Sequence, residues 1–504
     1  MPVIKENIRF RSFLNTLASW LDIGVKIIIR FIIDPIMIAS LGSYYFGIWQ
    51  VLNQLNSYLT TVDLKTSTAL KWIIARERTT LSNPELKLKA SIAFYSNFLT
   101  LPVYIIIGLL IIYFSPFVTN ANPSDVNLIR NTSTVLVLTY ITAQILFIFE
   151  SILTGMNLTY KRMGIRVLII CIGGISTVTI LKLGYGLVEL ALVDLLIVII
   201  TGVTFIHLVK KHVTWFGFIR VKIKQILTYL KFSSWFMLMK IATLFKDSSD
   251  LLLINYFLGS EVVTVYTITR YVIYAIFKLF IAGQGAIGNS VSKFFGENKI
   301  DRIILYRNNM ILITWFFFSI CGATVIICNR SFITLWTTNG LFGGSWETFL
   351  LVILVLVNSL NSIDTSIITM NLQTKTNTLI TSIAGVLSVI LSIVLTPLYG
   401  VIGQLTALIV SSISLSVMNS IKIKKILGHM NLIKDLYLSR LSLLSIMVFL
   451  ISVYISERVV VRGWLDLILI AVVVFSSLIG IIWFIGLNKA SRDVIKLNIK
   501  LLRR

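Results

Sequence analysis

The sequence predicts an all-α polytopic membrane protein. About fourteen transmembrane helices are expected: two six-helix parallel repeats, an N-lobe and a C-lobe, followed by two extra C-terminal helices. Three observations lead there. The 504-residue chain is 57% hydrophobic, with a mean hydropathy of +0.90, too apolar for a soluble protein of this size. Apolar stretches long enough to cross a bilayer recur along its whole length. Its two halves match each other at a nearly constant offset.

The spans fall at 13–39, 45–64, 91–114, 131–154, 164–181, 186–208, 232–258, 263–288, 309–328, 348–372, 377–396, 400–420, 438–456 and 465–487. The second and eighth are the most polar. A short basic segment (Lys5, Arg9, Arg11) leads directly into the first span, so no cleavable signal peptide is expected. With the N-terminus on the cytoplasmic side, most of the 45 Lys and Arg residues fall in cytoplasmic segments. Only Arg130, Lys182, Arg330, Arg458 and Arg462 fall outside. Both termini are therefore expected in the cytoplasm. The net charge of +24 reads as topology signal and contact with anionic lipids, not as a nucleic-acid footprint. The connecting segments, the basic cytoplasmic ones at 65–90, 209–231 and 421–437 included, are too short to form a domain.

The repeat rests on five matches in order. Ser19-Trp20 corresponds to Ser234-Trp235, Arg30 and Asp34 to Lys246 and Asp250, and Leu41-Gly42-Ser43 to Leu258-Gly259-Ser260. Met156-Asn157-Leu158 corresponds to Met370-Asn371-Leu372, and Gly184-Tyr185-Gly186 to Leu398-Tyr399-Gly400. Each copy holds an even number of spans, so both insert in the same orientation, with substrate sites expected between the halves. The implied division is an N-lobe at 1–220, a C-lobe at 221–436, and two helices with a basic cytoplasmic tail at 437–504.

The first span carries Asp22, Lys26, Arg30 and Asp34, each four residues after the last and so on one face. Two neutralised pairs, Asp22 with Lys26 and Arg30 with Asp34, are one reading. One wall of a water-filled path for a charged substrate is the other. The intramembrane bases singled out are Lys26, Arg30, Lys240, Lys246, Arg270 and Lys278. Each charge costs roughly 2.5–3.5 kcal/mol at the bilayer centre, so together they are expected to face protein or water. Spans one and seven are equivalent under the repeat and are expected to oppose each other. Arg270, Tyr274 and Lys278 share a face of span eight. The outcome would be a cationic cavity suited to phosphate or pyrophosphate, Arg binding it bidentately and Lys as a point charge. Salt bridges are the plainer alternative, Lys246 with Asp250 and Lys240 with Asp247. Among the acids, Asp22, Asp34, Asp250 and Asp364 are candidates for charge pairing or for coupling to an ion gradient, Asp34 and Asp364 foremost. Asp63, Glu150, Glu189 and Asp194 also lie in or near spans.

Other signals are structural. Cys171, Cys321 and Cys328 sit in apolar spans without nearby histidines and read as packing residues, not metal ligands. Gly283-Gln284-Gly285-Ala286-Ile287-Gly288 fits G-x-G-x-x-G but ends a membrane span, so it reads as helix packing or a hinge. With no metal-protease or nucleophile-elbow motif, neither enzymatic activity nor a cofactor is expected.

Arg30-Phe31, Pro35 and Leu41-Gly42-Ser43-Tyr44-Tyr45-Phe46-Gly47-Ile48-Trp49 resemble the first-span signature of polysaccharide flippases of the multidrug/oligosaccharidyl-lipid/polysaccharide (MOP) exporter superfamily. Asp63-Leu64 and Ala69 resemble the end of that family's second span, with Lys65 where glycine is usual. Pro397-Leu398-Tyr399-Gly400-Val401-Ile402-Gly403 resembles its P-x-Y-G-x-x-G turn. The resemblance covers about 1–487 and is nearest to O-antigen (Wzx-type) flippases. It implies a V-shaped, two-lobed, alternating-access transporter. Such a transporter carries an oligosaccharide on undecaprenyl pyrophosphate from the cytoplasmic to the periplasmic leaflet of the bacterial inner membrane, in lipopolysaccharide biosynthesis. By analogy with the family the last two spans guide the lipid tail; polysaccharide polymerases are candidate partners, and H⁺, Na⁺ or neither is left open as the ion that drives the cycle. Two rivals remain. A drug antiporter of the same superfamily is expected to have an acidic cavity. A membrane enzyme of polysaccharide assembly is expected to carry a large outer loop.

Overall fold

The computed structural model describes residues 8–59, 66–77, 81–247, 249–337, 340–371, 373–428, 440–459, 461, 463–489 and 491–493. Every regular element among them is helical. The chain forms two compact units, Met1–Val263 and Thr264–Arg504. The second sequence repeat begins near 221, so the first unit also holds the helices of the seventh span.

In the first unit, α1 (Ile8–Ser57) carries spans one and two as one run, bent where Gly42 adopts φ 83°, ψ 166°. Only glycine enters that region without strain. Pro35 interrupts the helical ladder immediately after Asp34. Helix α2 (Thr66–Glu77) occupies what the sequence suggested was a basic loop, because Ala69, Leu70 and Ile74 form a buried stripe. Gly155, at the end of the fourth span, lets that stripe approach: a Cβ there would lie 2.7 Å from the Ile74 side chain. Helix α3 (Asn83–Val118) starts at a capping box, with the Ser82 amide donating to Glu85 Oε2 at 2.8 Å. The fourth span is α4 (Val126–Leu146) with α5 (Ile148–Gly155). Then follow α6 (Met163–Lys182) and α7 (Leu187–His212). The seventh span is broken into α8 (Ile223–Asp247) and α9 (Asp250–Leu258).

Helix α9 stops at Gly259, with φ 91°, ψ 167°, the conformation of Gly42. The Leu-Gly-Ser match is thus a repeated backbone device: the same forbidden-to-Cβ turn ends the first helix of each copy.

Helix α10 (Ser260–Thr269) leads into the second unit, and α11 (Tyr271–Gly296) is bent from it by 53°. The G-x-G-x-x-G run lies inside α11, without the strand a dinucleotide site requires. The long helix α12 (Ile300–Trp336) packs against α13 (Ser345–Met370), α15 (Arg440–Ser456) and α16 (Trp464–Ile481). Helix α14 (Thr374–Leu427) carries spans eleven and twelve and bends at Gly400 (φ 61°, ψ −141°), within the Pro-Leu-Tyr-Gly turn. Cut at Gly42 and Gly400, and with α4–α5, α8–α9 and α10–α11 each taken as one span, the described helices supply about fourteen crossings.

Polar side chains hold this second unit together. Asn361 donates to the Ser412 carbonyl (2.8 Å) and accepts from Ser416 (2.7 Å), joining α13 to the second leg of α14. Ser319 bonds Ser445, and Ser456 donates to Ser345 (2.9 Å), tying α15 to α12 and α13. Helix α16 buries Leu467 and Leu478, packs Ile470, Ala471 and Val474 against Ile327 and Cys328 of α12, and exposes Leu465, Ile468, Leu469, Val472 and Val473.

Candidate functional site

Asp34 on α1 is buried, while the Arg30 side chain one turn earlier is 51% exposed. Arg30 Nε lies 4.0 Å from Asp34 Oδ1, and its guanidinium donates to Gln50 Oε1 at 3.4 Å from beyond the Gly42 bend. Asp194 of α7 is within electrostatic reach of Arg30 as well. The bend thus places two legs of one helix around a single guanidinium. Its contacts are long and its tip is accessible, so it can exchange partners.

The lower half of the stripe is arranged differently. Asp22 is buried and pairs with two bases that sequence reasoning passed over. Its Oδ2 lies 3.6 Å from Arg162 and 3.4 Å from Arg166. Both guanidinium groups also reach Glu150 Oε1, at 2.5 and 2.8 Å, and both lie over the Phe205 ring. The expected Asp22–Lys26 pair is thus displaced by a four-charge cluster joining α1, α5 and the start of α6, and Lys26 is exposed. Asp22 Oδ1 and Arg162 Nε are buried without a hydrogen-bond partner.

Lys246 and Asp250, the counterparts of Arg30 and Asp34, are both buried. The acids therefore share their burial across the repeat, and the bases do not. The side chains of Lys240 and Asp247 lie outside the described residues, as does Asp63.

In the second unit Arg270 sits between the rings of Tyr266 (4.7 Å) and Tyr274 (5.0 Å), one turn either side of it. Lys278, further along α11, is exposed. Asp364 faces α12, where Arg307 binds it bidentately: Nε to Oδ1 at 2.6 Å and a terminal nitrogen to Oδ2 at 2.8 Å. Both side chains are fully enclosed, at 0% and 1% exposure. Arg307 precedes the ninth expected span, 309–328. Helix α12 begins earlier than the apolar stretch, and Ile303, Arg307, Met310, Ile311 and Thr314 form one buried stripe at helical spacing. That periodicity was the available signal.

Among the described residues no group of three metal-ligating side chains converges. In the first unit, Arg30 and Lys26 are exposed cations and Asp34 and Asp22 are buried carboxylates facing guanidinium groups; in the second, Lys278 is exposed and Asp364 is a buried carboxylate held by Arg307.

Residues 73–285 match the model of a family described as polysaccharide biosynthesis proteins. Comparison with curated proteins gives no match. Among solved structures the chain is similar to lipid II flippase MurJ in an inward closed conformation, at 16% identity and a TM-score of 0.69, over 96% of this chain and 100% of that one. It is also similar to an inward-facing multidrug resistance MATE transporter of the MOP superfamily (16% identity, TM-score 0.58, 82% of this chain and 95% of that one). A MOP superfamily transporter from Pyrococcus furiosus matches at 16% identity and a TM-score of 0.56, over 83% of this chain and 96% of that one. At these identities the likeness is one of fold. The MurJ match leaves 4% of the chain uncovered, less than 437–504 occupies, so the shared fold extends over the C-terminal helices.

Proposed function

We propose that this chain, a multi-pass membrane protein with the fold of the MOP-superfamily transporters, is a flippase for an undecaprenyl-pyrophosphate-linked oligosaccharide. The cargo is an O-antigen or related surface polysaccharide repeat unit, moved from the cytoplasmic to the periplasmic leaflet of the inner membrane by alternating access. Both termini lie in the cytoplasm. The family match over 73–285 supports the polysaccharide assignment, and the fold supports transport rather than catalysis.

The observation that carries the reading is Arg30. An exposed guanidinium in an apolar helix, loosely held by Asp34 and Gln50, is suited to a diphosphate. Lys26, Lys240, Lys246, Arg270 and Lys278 supply further positive charge from both repeats. When Arg30 turns to the phosphate, Asp34 loses its counter-charge in a buried position. A carboxylate so placed takes up a cation, H⁺ or Na⁺, which couples substrate binding to an ion gradient. Asp22, Asp250 and Asp364 balance charge in the same way but with tighter partners or deeper burial.

A multidrug antiporter is the competing reading, supported by the MATE likeness. The exposed bases Lys26, Arg30 and Lys278 oppose it, since they would repel cationic drugs. Complementation separates the two: in a strain lacking its polysaccharide flippase the wild-type chain restores surface glycan, and Arg30→Ala does not although it reaches the membrane. Normal glycan with Arg30→Ala refutes the role of Arg30. Failure of the wild type, with gain of drug resistance, favours the antiporter.

A further inference from the structure

Helix α6 packs along the first leg of α1 and leaves a groove of about 520 Å³ between them, within the first unit. Its walls are almost wholly apolar: Ile29 and Ile33 from α1, Cys171, Ile175 and Val178 from α6. At one end stands Lys182, the last residue of α6, exposed beside the exposed Tyr185. The hydroxyl of Thr179 is already given to the Ile175 carbonyl at 2.9 Å. The nearby Glu189 carboxylate accepts from the Gly186 amide at 3.0 Å. Lysine and tyrosine at a helix end mark the headgroup level of a bilayer. Ile32, on the rim of the groove, and the neighbours Ile28, Leu168 and Ile172 are all exposed, so the groove opens towards lipid.

Its dimensions select the occupant. From Cys171 to Lys182 the helix climbs about 17 Å at ~1.5 Å per residue, roughly half of the ~30 Å hydrocarbon core. A groove one leaflet deep, apolar along its length and closed at the headgroup end by one cation, matches one acyl chain and the phosphate of a single-leaflet lipid. A prenyl chain long enough to carry an oligosaccharide exceeds that depth several-fold. The volume lies within the roughly 300–1,000 Å³ usual for small-molecule sites.

We propose that this groove binds one chain of an anionic glycerophospholipid, with Lys182 on its phosphate. In the orientation given above the lipid belongs to the periplasmic leaflet. The site itself does not depend on what the protein transports. Bound there, the lipid packs against Ile29 and Ile33, which flank Arg30 in sequence, so its presence steadies the leg of α1 that carries the stripe.

The test is lipid retention in native mass spectrometry after reconstitution into vesicles of equimolar phosphatidylglycerol and phosphatidylcholine. Wild-type protein should retain phosphatidylglycerol in preference. Lys182→Gln should reduce that preference about fivefold, the effect of one lysine at a membrane surface. Val178→Trp should reduce the tightly retained lipid by one molecule while melting at the wild-type temperature in lipid-free detergent. Equal retention of the two lipids by wild type overturns the proposal, as does an unchanged preference in Lys182→Gln. Displacement of phosphatidylglycerol by substoichiometric undecaprenyl phosphate would make the carrier lipid the occupant and overturn it too.

Discussion

Arg307 and Asp364 meet in a fully enclosed, bidentate pair, and the consequence is sharp enough to test whether Asp364 is an anchor or a coupling group. Asp364→Asn keeps the shape and removes the carboxylate charge that Arg307 binds bidentately at 0% exposure. Breaking such a pair costs roughly 3–5 kcal/mol. For a unit the size of Thr264–Arg504, each kcal/mol lowers the melting temperature by about 2–4 °C, so a fall of about 6–20 °C is expected. The double change Arg307→Met with Asp364→Leu removes both charges and should recover most of that loss, because a well-packed apolar replacement of a buried pair is often neutral or stabilising by about 1–4 kcal/mol. Fluorescence-detected thermal unfolding of the purified protein in detergent reads both. Asp364→Asn melting within a degree or two of wild type refutes the reasoning. If that variant also loses its gradient dependence, Asp364 is a coupling group and not an anchor.

Other outcomes follow from the same geometry. Asp34→Asn should leave export running after the proton gradient is collapsed; if collapse still stops export in that variant, Asp34 does not couple it. Gly42→Ala and Gly259→Ala should each destabilise by about 1–3 kcal/mol, because both backbones occupy a region barred to a Cβ. A cost at one position only, in the same unfolding measurement, breaks the structural equivalence of the repeats. Arg166→Ala leaves Asp22 and Glu150 sharing Arg162 and should cost about 1–3 kcal/mol. Full stability in that variant would show the cluster to be incidental.

The spans were readable because hydropathy alone places a helix in lipid, and the repeat because its turns demand glycine at Gly42 and Gly259. The Arg30–Asp34 pair was readable because four-residue spacing fixes proximity within a helix. What escaped was of two kinds. Helices form and continue beyond the apolar stretches, so α2 falls in an expected cytoplasmic segment and Arg307 falls before the expected ninth span. Contacts between helices far apart in sequence leave no periodic trace, so Asp22 was paired with Lys26 and not with Arg162, just before the fifth span, and Arg166 within it. The face shared by Arg270 and Tyr274 was legible, but that Tyr266 closes the other side required the structure.

The central claim is that Arg30 carries the diphosphate of a lipid-linked oligosaccharide across the membrane. Its most direct test is a flip assay in proteoliposomes. Wild type or Arg30→Ala is reconstituted with a fluorescent undecaprenyl-pyrophosphate oligosaccharide, and an impermeant reagent destroys whatever fluorophore reaches the outer leaflet. The account predicts complete loss of signal with wild type and loss of only the initially exposed fraction with Arg30→Ala. Equal kinetics for the two proteins would contradict it.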